Sequence, residues 1–468
     1  MLVRRFYDER LAQASFLIGC QQTGEAIVID AARDVAPYLA AAQAEGVRIT
    51  RVTETHIPAD FASGTRELAA ATGAAMFLSG AGGPDWQYAF AATDRATLLQ
   101  DGDILRLGNV RLQVLHTPGH TPEHLVFIVV DGVRGDDPVA MVSGDFLFVG
   151  DVGRPDLLET AAGVTGSKEA SARALFRSLK RLESLPDFLQ VWPGHGAGSA
   201  CGKALGAMPT STLGYERRTN WAFRADDEAA FVTTVLDGQP PPPPYFAVMK
   251  RVNRDGPPLL GNRGAPPALA AGDLAGALRR GVVIDVRSSP DYAAAHVAGT
   301  LNLPLLAAFT RWAGWLLPYD RDLFLIAPDP ATAAAAQLAL ASIGLDRVAG
   351  SFGAEVIAAA EAAGTARATL RTPIHQVPAL QRGGTRIVDV REPDEWRAGH
   401  FDDALHHPLG TLPTAFATID RATPLALHCA GGTRSAIGTS LLEMMGFTNV
   451  TDLMGGWGNR ETTDERRE

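Results

Sequence analysis

Four short clusters in the first half of the chain combine histidine or aspartate with glycine, proline, serine and threonine. They are Thr55-His56-Ile57-Pro58-Ala59-Asp60-Phe61, Thr117-Pro118-Gly119-His120-Thr121, Ser143-Gly144-Asp145 and Pro193-Gly194-His195-Gly196. One histidine in a turn is ordinarily a surface or structural residue. Several such turns, each following an apolar run, are hard to explain that way, because a buried imidazole or carboxylate is costly unless it is paired or bound to metal. A fifth cluster, Leu425-Ala426-Leu427-His428-Cys429-Ala430-Gly431-Gly432-Thr433-Arg434-Ser435, has nucleophilic chemistry instead. A strand runs into a tight loop and then into a helix-like segment, Ala436 to Met445. Backbone N–H groups and a helix N-terminus beside Cys429 would stabilise an anionic thiolate or persulfide. Arg434 adds a fixed positive charge. Gly431 and Gly432 let the loop of Ala430, Thr433 and Ser435 curl around the sulfur.

These loops need strands to hold them. Ser15–Gly19 and Ala26–Asp30 have the apolar character of paired buried strands, as do Leu112–His116 and His124–Val130. Each ends beside a polar cluster, the pattern of chemistry carried on loops at the end of a sandwich. The proline run from Pro240 to Pro244 cannot continue a helix or a central strand and predicts a domain boundary. Beyond it the chain repeats itself. Val283-Ile284-Asp285-Val286-Arg287 is echoed by Ile387-Val388-Asp389-Val390-Arg391, an offset of 104 residues. That is a small domain rather than a solenoid unit. Short β-branched runs alternate with alanine-rich helical ones in both copies, which predicts a parallel sheet covered by helices on both faces.

Over residues 1 to 240 the chain resembles the metallo-β-lactamase superfamily. The resemblance rests on the Ser15–Asp30 strand pair, the histidine loop, Thr117-Pro118-Gly119-His120, Ser143-Gly144-Asp145 and the His195 turn. It implies an αββα sandwich with metal along one edge. The full histidine loop of that superfamily reads H-x-H-x-D-H, and here Pro58 and Phe61 stand at two histidine positions. Neither can ligate a metal, which argues against the two-metal hydrolases. His56, His120 and Asp145 match the iron ligands of the persulfide dioxygenase branch, a two-histidine, one-carboxylate set suited to Fe(II) with open positions. Gly153-Arg154-Pro155-Asp156, His195-Gly196-Ala197-Gly198-Ser199 and Cys201-Gly202-Lys203 match that branch too. The resemblance therefore implies one Fe(II) per chain, with zinc as the alternative occupant. The reaction would be oxidation of a thiol persulfide (glutathione, coenzyme A or bacillithiol type) by O2 to sulfite. Asp60 and His195 are expected to orient ligands or hold water, and Arg154 and Lys203 to bind the anionic substrate. Cys201 and Cys20 are candidate sulfur relays.

The Cys429 loop resembles the rhodanese active-site loop, C-x-x-G-x-R, over residues 370 to 462, supported by Asp389-Val390-Arg391-Glu392 and Gly455-Gly456-Trp457. Its six residues from Cys429 to Arg434 are shorter than the C-x5-R loop of a tyrosine phosphatase. The implied cycle makes a Cys429 persulfide and exchanges sulfane sulfur with thiosulfate, sulfite or a thiol. The first copy has no cysteine; Leu325-Ile326-Ala327-Pro328-Asp329 stands at the corresponding loop, so it cannot run that cycle. The expected layout is an α/β multidomain chain: a metal domain at 1–238, a Pro/Gly-rich connector at 239–262, a non-catalytic rhodanese-like domain at 263–365 and a catalytic rhodanese domain at 370–462. Two other readings stand beside this one: a zinc-dependent glyoxalase II-like hydrolase fused to a sulfurtransferase, and a sulfur carrier with an inactive metal domain.

Bulk properties agree. At about 150 residues per domain, 468 residues predict about three domains. A net charge of −10 argues against nucleic-acid binding. No apolar run is long enough for a membrane span, and Met1–Arg10 lacks a signal-peptide core. Three sparse cysteines, Cys20, Cys201 and Cys429, form no disulfide framework, which predicts a reducing, cytoplasmic setting. A homo-oligomer is expected.

Overall fold

A computed structural model describes residues 1–160, 166–199, 201–203, 205–261 and 263–460. The chain divides into two compact units. The first is Met1–Arg263 with Ala341–Gly344, and the second is Gly264–Leu340 with the chain from Leu345 onward.

Two six-stranded sheets make the first unit. One follows sequence order, Leu2–Asp8, Gln13–Cys20, Glu25–Ile29, Arg48–Thr53, Ala75–Ser79 and Thr97–Leu99. Its first three strands are antiparallel, and from Glu25–Ile29 onward the pairing is parallel. Parallel neighbours need a crossover, which the helices Ala36–Ala44 and Thr65–Thr72 provide for two of those pairs. The other sheet runs Ser211–Thr212, Gln190–Pro193, Pro138–Gly144, Leu125–Asp131, Val110–His116 and Ile104–Leu107.

Strand alternation sorts the side chains into layers. Phe16, Ile18, Ile27 and Ile29 of the first sheet share one core with Leu112, Val114, Phe127 and Val129 of the second. Leu17, Val28 and Val52 point the other way, against Tyr38, Ala42 and Leu68 of the first sheet's helices. Val126, Ile128 and Met141 pack on Leu175 and Leu179 of the helix Lys168–Lys180 and on Phe231 and Val235 of the helix Glu228–Leu236. Each fully buried aliphatic or aromatic side chain contributes about 1.5–3 kcal/mol, so the two strand faces together commit the chain to helix–sheet–sheet–helix layers.

The segment expected as a connector is more than that. Within it lies a helix, Tyr245–Asp255, that belongs to the first unit. The proline run ends where the helix begins, which is where proline is tolerated. Tyr245, Phe246, Met249 and Asn253 form its buried face.

In the second unit the two sequence copies build similar sheets. The first orders its strands Leu301–Asn302, Gly281–Asp285, Asp322–Ile326 and Val348–Phe352, all parallel. The second orders them Leu405–His406, Arg386–Asp389, Leu425–His428 and Val450–Met454, with Leu370–Pro373 added at the edge, again all parallel. The repeated Asp-Val-Arg has a structural cause. Arg287 clasps Asp285 and donates to the Ala295 carbonyl at 3.0 Å; Arg391 clasps Asp389 and donates to the Gly399 carbonyl at 2.7 Å. In both copies the arginine pins the strand end to the turn eight residues on.

Candidate metal centre and thiolate loop

Every histidine or aspartate cluster leaves the C-terminal end of a strand of the first unit. His56 follows Arg48–Thr53, His120 follows Val110–His116, Asp145 follows Pro138–Gly144 and His195 follows Gln190–Pro193. The four therefore meet at one edge. His56, His120 and Asp145 are all buried, and each offers a ligand atom within 4.8 Å of the others. Asp145 Oδ2 lies 3.6 Å from His120 Nε2 and 4.0 Å from His56 Nε2. Neither oxygen of Asp145 accepts a hydrogen bond. Its nearest polar neighbours are imidazole nitrogens at 3.4–4.0 Å, a poor substitute for hydrogen bonds on a buried carboxylate, and a metal ion among them would remove the cost.

The imidazoles suit that ion. His120 Nδ1 donates to the Arg154 carbonyl at 3.1 Å, so its Nε2 carries the lone pair. His56 Nδ1 contacts Thr55 Oγ1 at 3.0 Å, while the Thr55 hydroxyl donates to the Asp30 carboxylate at 3.1 Å. Outer partners of this kind fix ring orientation and tautomer in metal sites. Burial, reinforced by the other histidines, holds His56 well below the ordinary histidine range. Burial also lowers His120, against the pull of Asp145. Both rings are neutral, the form that ligates metal.

A second group, Asp60, His195 and Cys201, adjoins the first. His195 Nε2 is 3.1 Å from Asp60 Oδ2 and 3.4 Å from Asp145 Oδ1, and its Nδ1 donates to the Ala12 carbonyl at 3.0 Å. Burial alone would lower His195, but Asp145 and Asp60 outweigh it and the ring ends above its usual value. Burial lifts Asp60 to about 6. Burial, then Asp60 and Asp145, raise the Cys201 thiol well above the usual range.

Other expected residues stand elsewhere. Arg154 is buried and bonded to Asp156 at 2.7 Å and to the Pro240 carbonyl at 2.8 Å; its main chain, not its charge, serves the centre through His120. Lys203 Nζ donates to the carbonyls of Thr234 and Asp237 at the C-terminal end of the helix Glu228–Leu236. Both expected substrate cations are thus engaged in structural contacts. Cys20 is at the opposite end of Gln13–Cys20 from the residue that bridges to His195. Seven residues of strand place it roughly 23 Å away, too far for a sulfur relay.

Three supports were not foreseen. His124 Nε2 accepts from the Asp145 N–H at 3.1 Å, and its ring stacks on His56 with centroids 5.1 Å apart. It follows His120 by four residues, in the same turn, which was the available signal. Asn253 donates to the carbonyls of Pro58 and Phe61, both at 2.7 Å, and accepts from the Ser63 N–H at 2.9 Å. Tyr245 Oη donates to the Asp60 carbonyl at 3.0 Å. The supposed connector thus holds the histidine loop.

In the second unit, Cys429 follows the strand Leu425–His428 and precedes the helix Thr433–Met444. Its buried Sγ accepts from the Gly432 N–H at 3.0 Å and the Ser435 N–H at 3.4 Å. Gly432 has φ +98°, a left-handed geometry open to glycine. At Gly456 a Cβ would lie 2.0 Å from the Ala430 carbonyl oxygen. Arg434 does not present a free charge to the sulfur. It is paired through both terminal nitrogens with Glu395, at 2.6 and 2.7 Å.

Comparison with known proteins agrees with this division. The metallo-beta-lactamase superfamily profile matches residues 8–195, and the rhodanese-like domain profile matches residues 375–459. A crystal structure of a metallo-beta-lactamase from Staphylococcus aureus subsp. aureus COL is 44% identical, with a TM-score of 0.69, over 75% of this chain and 99% of that one. A hydroxyacylglutathione hydrolase of Rhodopseudomonas palustris is 28% identical over 51% of this chain and 93% of its own length. One from Polaromonas sp. is 34% identical over 42% and 66%. The chain belongs to the metallo-β-lactamase superfamily and carries a C-terminal rhodanese-like domain. Among the described residues no helix is long and apolar enough to cross a membrane.

Proposed function

We propose that the first unit is a persulfide dioxygenase with one Fe(II) on His56, His120 and Asp145, and that the Cys429 domain exchanges sulfane sulfur with thiosulfate, sulfite or a thiol. The observation that carries this reading is the donor set. Three unencumbered ligand atoms converge, while Pro58 and Phe61 replace the histidines that a two-metal hydrolase would use.

Bound Fe(II) would supply binding positions for persulfide and O2 side by side and the electrons that activate O2. The chain's own groups do the rest. Thr55 and the Arg154 carbonyl orient the two imidazoles, and His124 holds the Asp145 main chain. His195 Nε2 stands between the carboxylates of Asp60 and Asp145, which favour its protonated form. Overall, R–S–S⁻, O2 and water give R–SH, sulfite and a proton. The cysteine-less copy is a rhodanese-like domain without the sulfur cycle, and the protein works in the cytoplasm as a homo-oligomer.

The test is O2 consumption with glutathione persulfide by iron-loaded protein and by His120→Ala. Turnover in the wild type and its loss in the variant are expected; equal turnover in both contradicts the ligand assignment. The curated relatives named hydroxyacylglutathione hydrolase favour a second reading, a zinc hydrolase. Metal analysis with a thioester assay separates the two.

A further inference from the structure

A cavity of about 660 Å³ lies in the second unit, in the size range of small-molecule sites. Its walls come from both sequence copies. Gly431, Gly432 and Thr433 of the Cys429 loop form one side, and the Gly432 nitrogen among them is 3.0 Å from the sulfur. The opposite side belongs to the copy that has no cysteine. Pro290 and Asp291 come from the first turn of the helix Ser289–Ala294 that follows its Asp-Val-Arg, Leu305 and Leu306 from the turn after Leu301–Asn302, and Pro328 from the loop where a nucleophile would otherwise stand.

An inorganic anion the size of thiosulfate would leave most of that space empty. The lining also has the wrong balance for a bare anion. Leu306 is 56% exposed beside it, an apolar side chain left facing solvent. The charged lining is Arg371, which shares Asp452 at 3.2 Å, Arg287, which is clasped by Asp285, and the exposed Asp291 carboxylate, which accepts from Ser288 Oγ at 2.5 Å. A cation and an anion flanking an apolar floor match a small zwitterion.

We propose that this cavity binds the organic part of a peptide-like thiol, the carrier that exchanges sulfur with Cys429, and that the cysteine-less copy selects it. The carboxylate of the carrier faces Arg371 and its ammonium faces Asp291. Loading takes the terminal sulfur from the carrier: the Cys429 thiolate attacks the outer sulfur of R–S–SH, the S–S bond breaks, R–S⁻ leaves and Cys429–S–SH forms. Release to the thiol is the reverse. This rests on the sulfur-transfer reading of Cys429.

The experiment uses the full chain under anaerobic conditions, with thiosulfate as donor and either cyanide or glutathione as acceptor. Leu306→Arg and Pro290→Arg each push a cation and bulk into the cavity from exposed positions. The ratio of kcat/KM for glutathione to that for cyanide should fall at least tenfold in either variant, mainly through KM. A ratio within twofold of wild type in both variants overturns the proposal, whether or not the two rates fall together. Coenzyme A outperforming glutathione in the wild type overturns the zwitterion assignment. Cys429→Ala that retains both reactions instead removes the sulfur-transfer reading itself.

Discussion

Asn253 should matter to the metal centre although it ligates nothing. Its amide fills three buried backbone valences of the histidine loop: the carbonyls of Pro58 and Phe61 and the N–H of Ser63. Replacement by alanine leaves all three without their partner, in a place where the side chain is 1% exposed. At about 1 kcal/mol net per hydrogen bond the loss is about 3 kcal/mol, and a larger figure applies if water does not enter. Part of that loss falls on folding and part on the loop conformation that aims His56. Were all of it to fall on the loop, metal affinity would drop by roughly 100-fold, at 1.4 kcal/mol per tenfold. The assay is chelator competition for bound iron, run beside a urea unfolding curve. The expected result is weaker metal binding together with a lower unfolding midpoint at unchanged slope. Wild-type metal affinity and an unchanged midpoint would refute the view that the helix Tyr245–Asp255 holds the loop.

Three further outcomes follow from individual contacts. His124→Phe keeps a ring against His56 but leaves the buried Asp145 N–H without an acceptor. It should weaken metal binding by about 10–100-fold in the same competition assay. Gly456→Ala drives a methyl group into the Ala430 carbonyl at φ +69°, and should reduce thiosulfate:cyanide transfer at least tenfold while leaving metal content unchanged. Burial acts to raise the Cys20 thiol, but the N–H groups of Asn109, Thr23 and Gln22 and the Thr23 side chain bring it down to about 7. A folded value below the unfolded one gives stability that is complete above the unfolded value, near 9, and is lost as pH falls through about 7. Thermal unfolding of wild type minus Cys20→Ala should show that rise between pH 7 and pH 9, and a flat difference would contradict it.

The sequence was most legible where period and spacing carry physics directly. The runs at Ser15–Gly19 and Leu112–His116 are strands, since alternating apolar side chains fill two faces of a sheet. The clusters that hold His56, His120, Asp145 and Cys429 stand out in the sequence because few other roles explain such residues at strand ends, and the resemblance to known families is what singles out these four within them. What was missed depends on chain reversal. Asn253 lies about 190 residues from the loop that it holds, and no local pattern announces that contact. Prolines 240–244 marked a break in regular structure, yet the helix after them packs back onto the first unit, so composition alone put the boundary too early. Charge misled in a similar way. Arg154, Lys203 and Arg434 read as anion-binding cations, but the fold gives them Asp156, helix-terminal carbonyls and Glu395.

The central claim is that His56, His120 and Asp145 share a single redox-active ion. A crystal structure of iron-loaded protein, with anomalous scattering measured on both sides of the iron edge, tests it most directly. The account predicts one iron peak about 2.0–2.2 Å from Nε2 of His56, Nε2 of His120 and a carboxylate oxygen of Asp145. Two zinc peaks, with the second on Asp60 and His195, would contradict it.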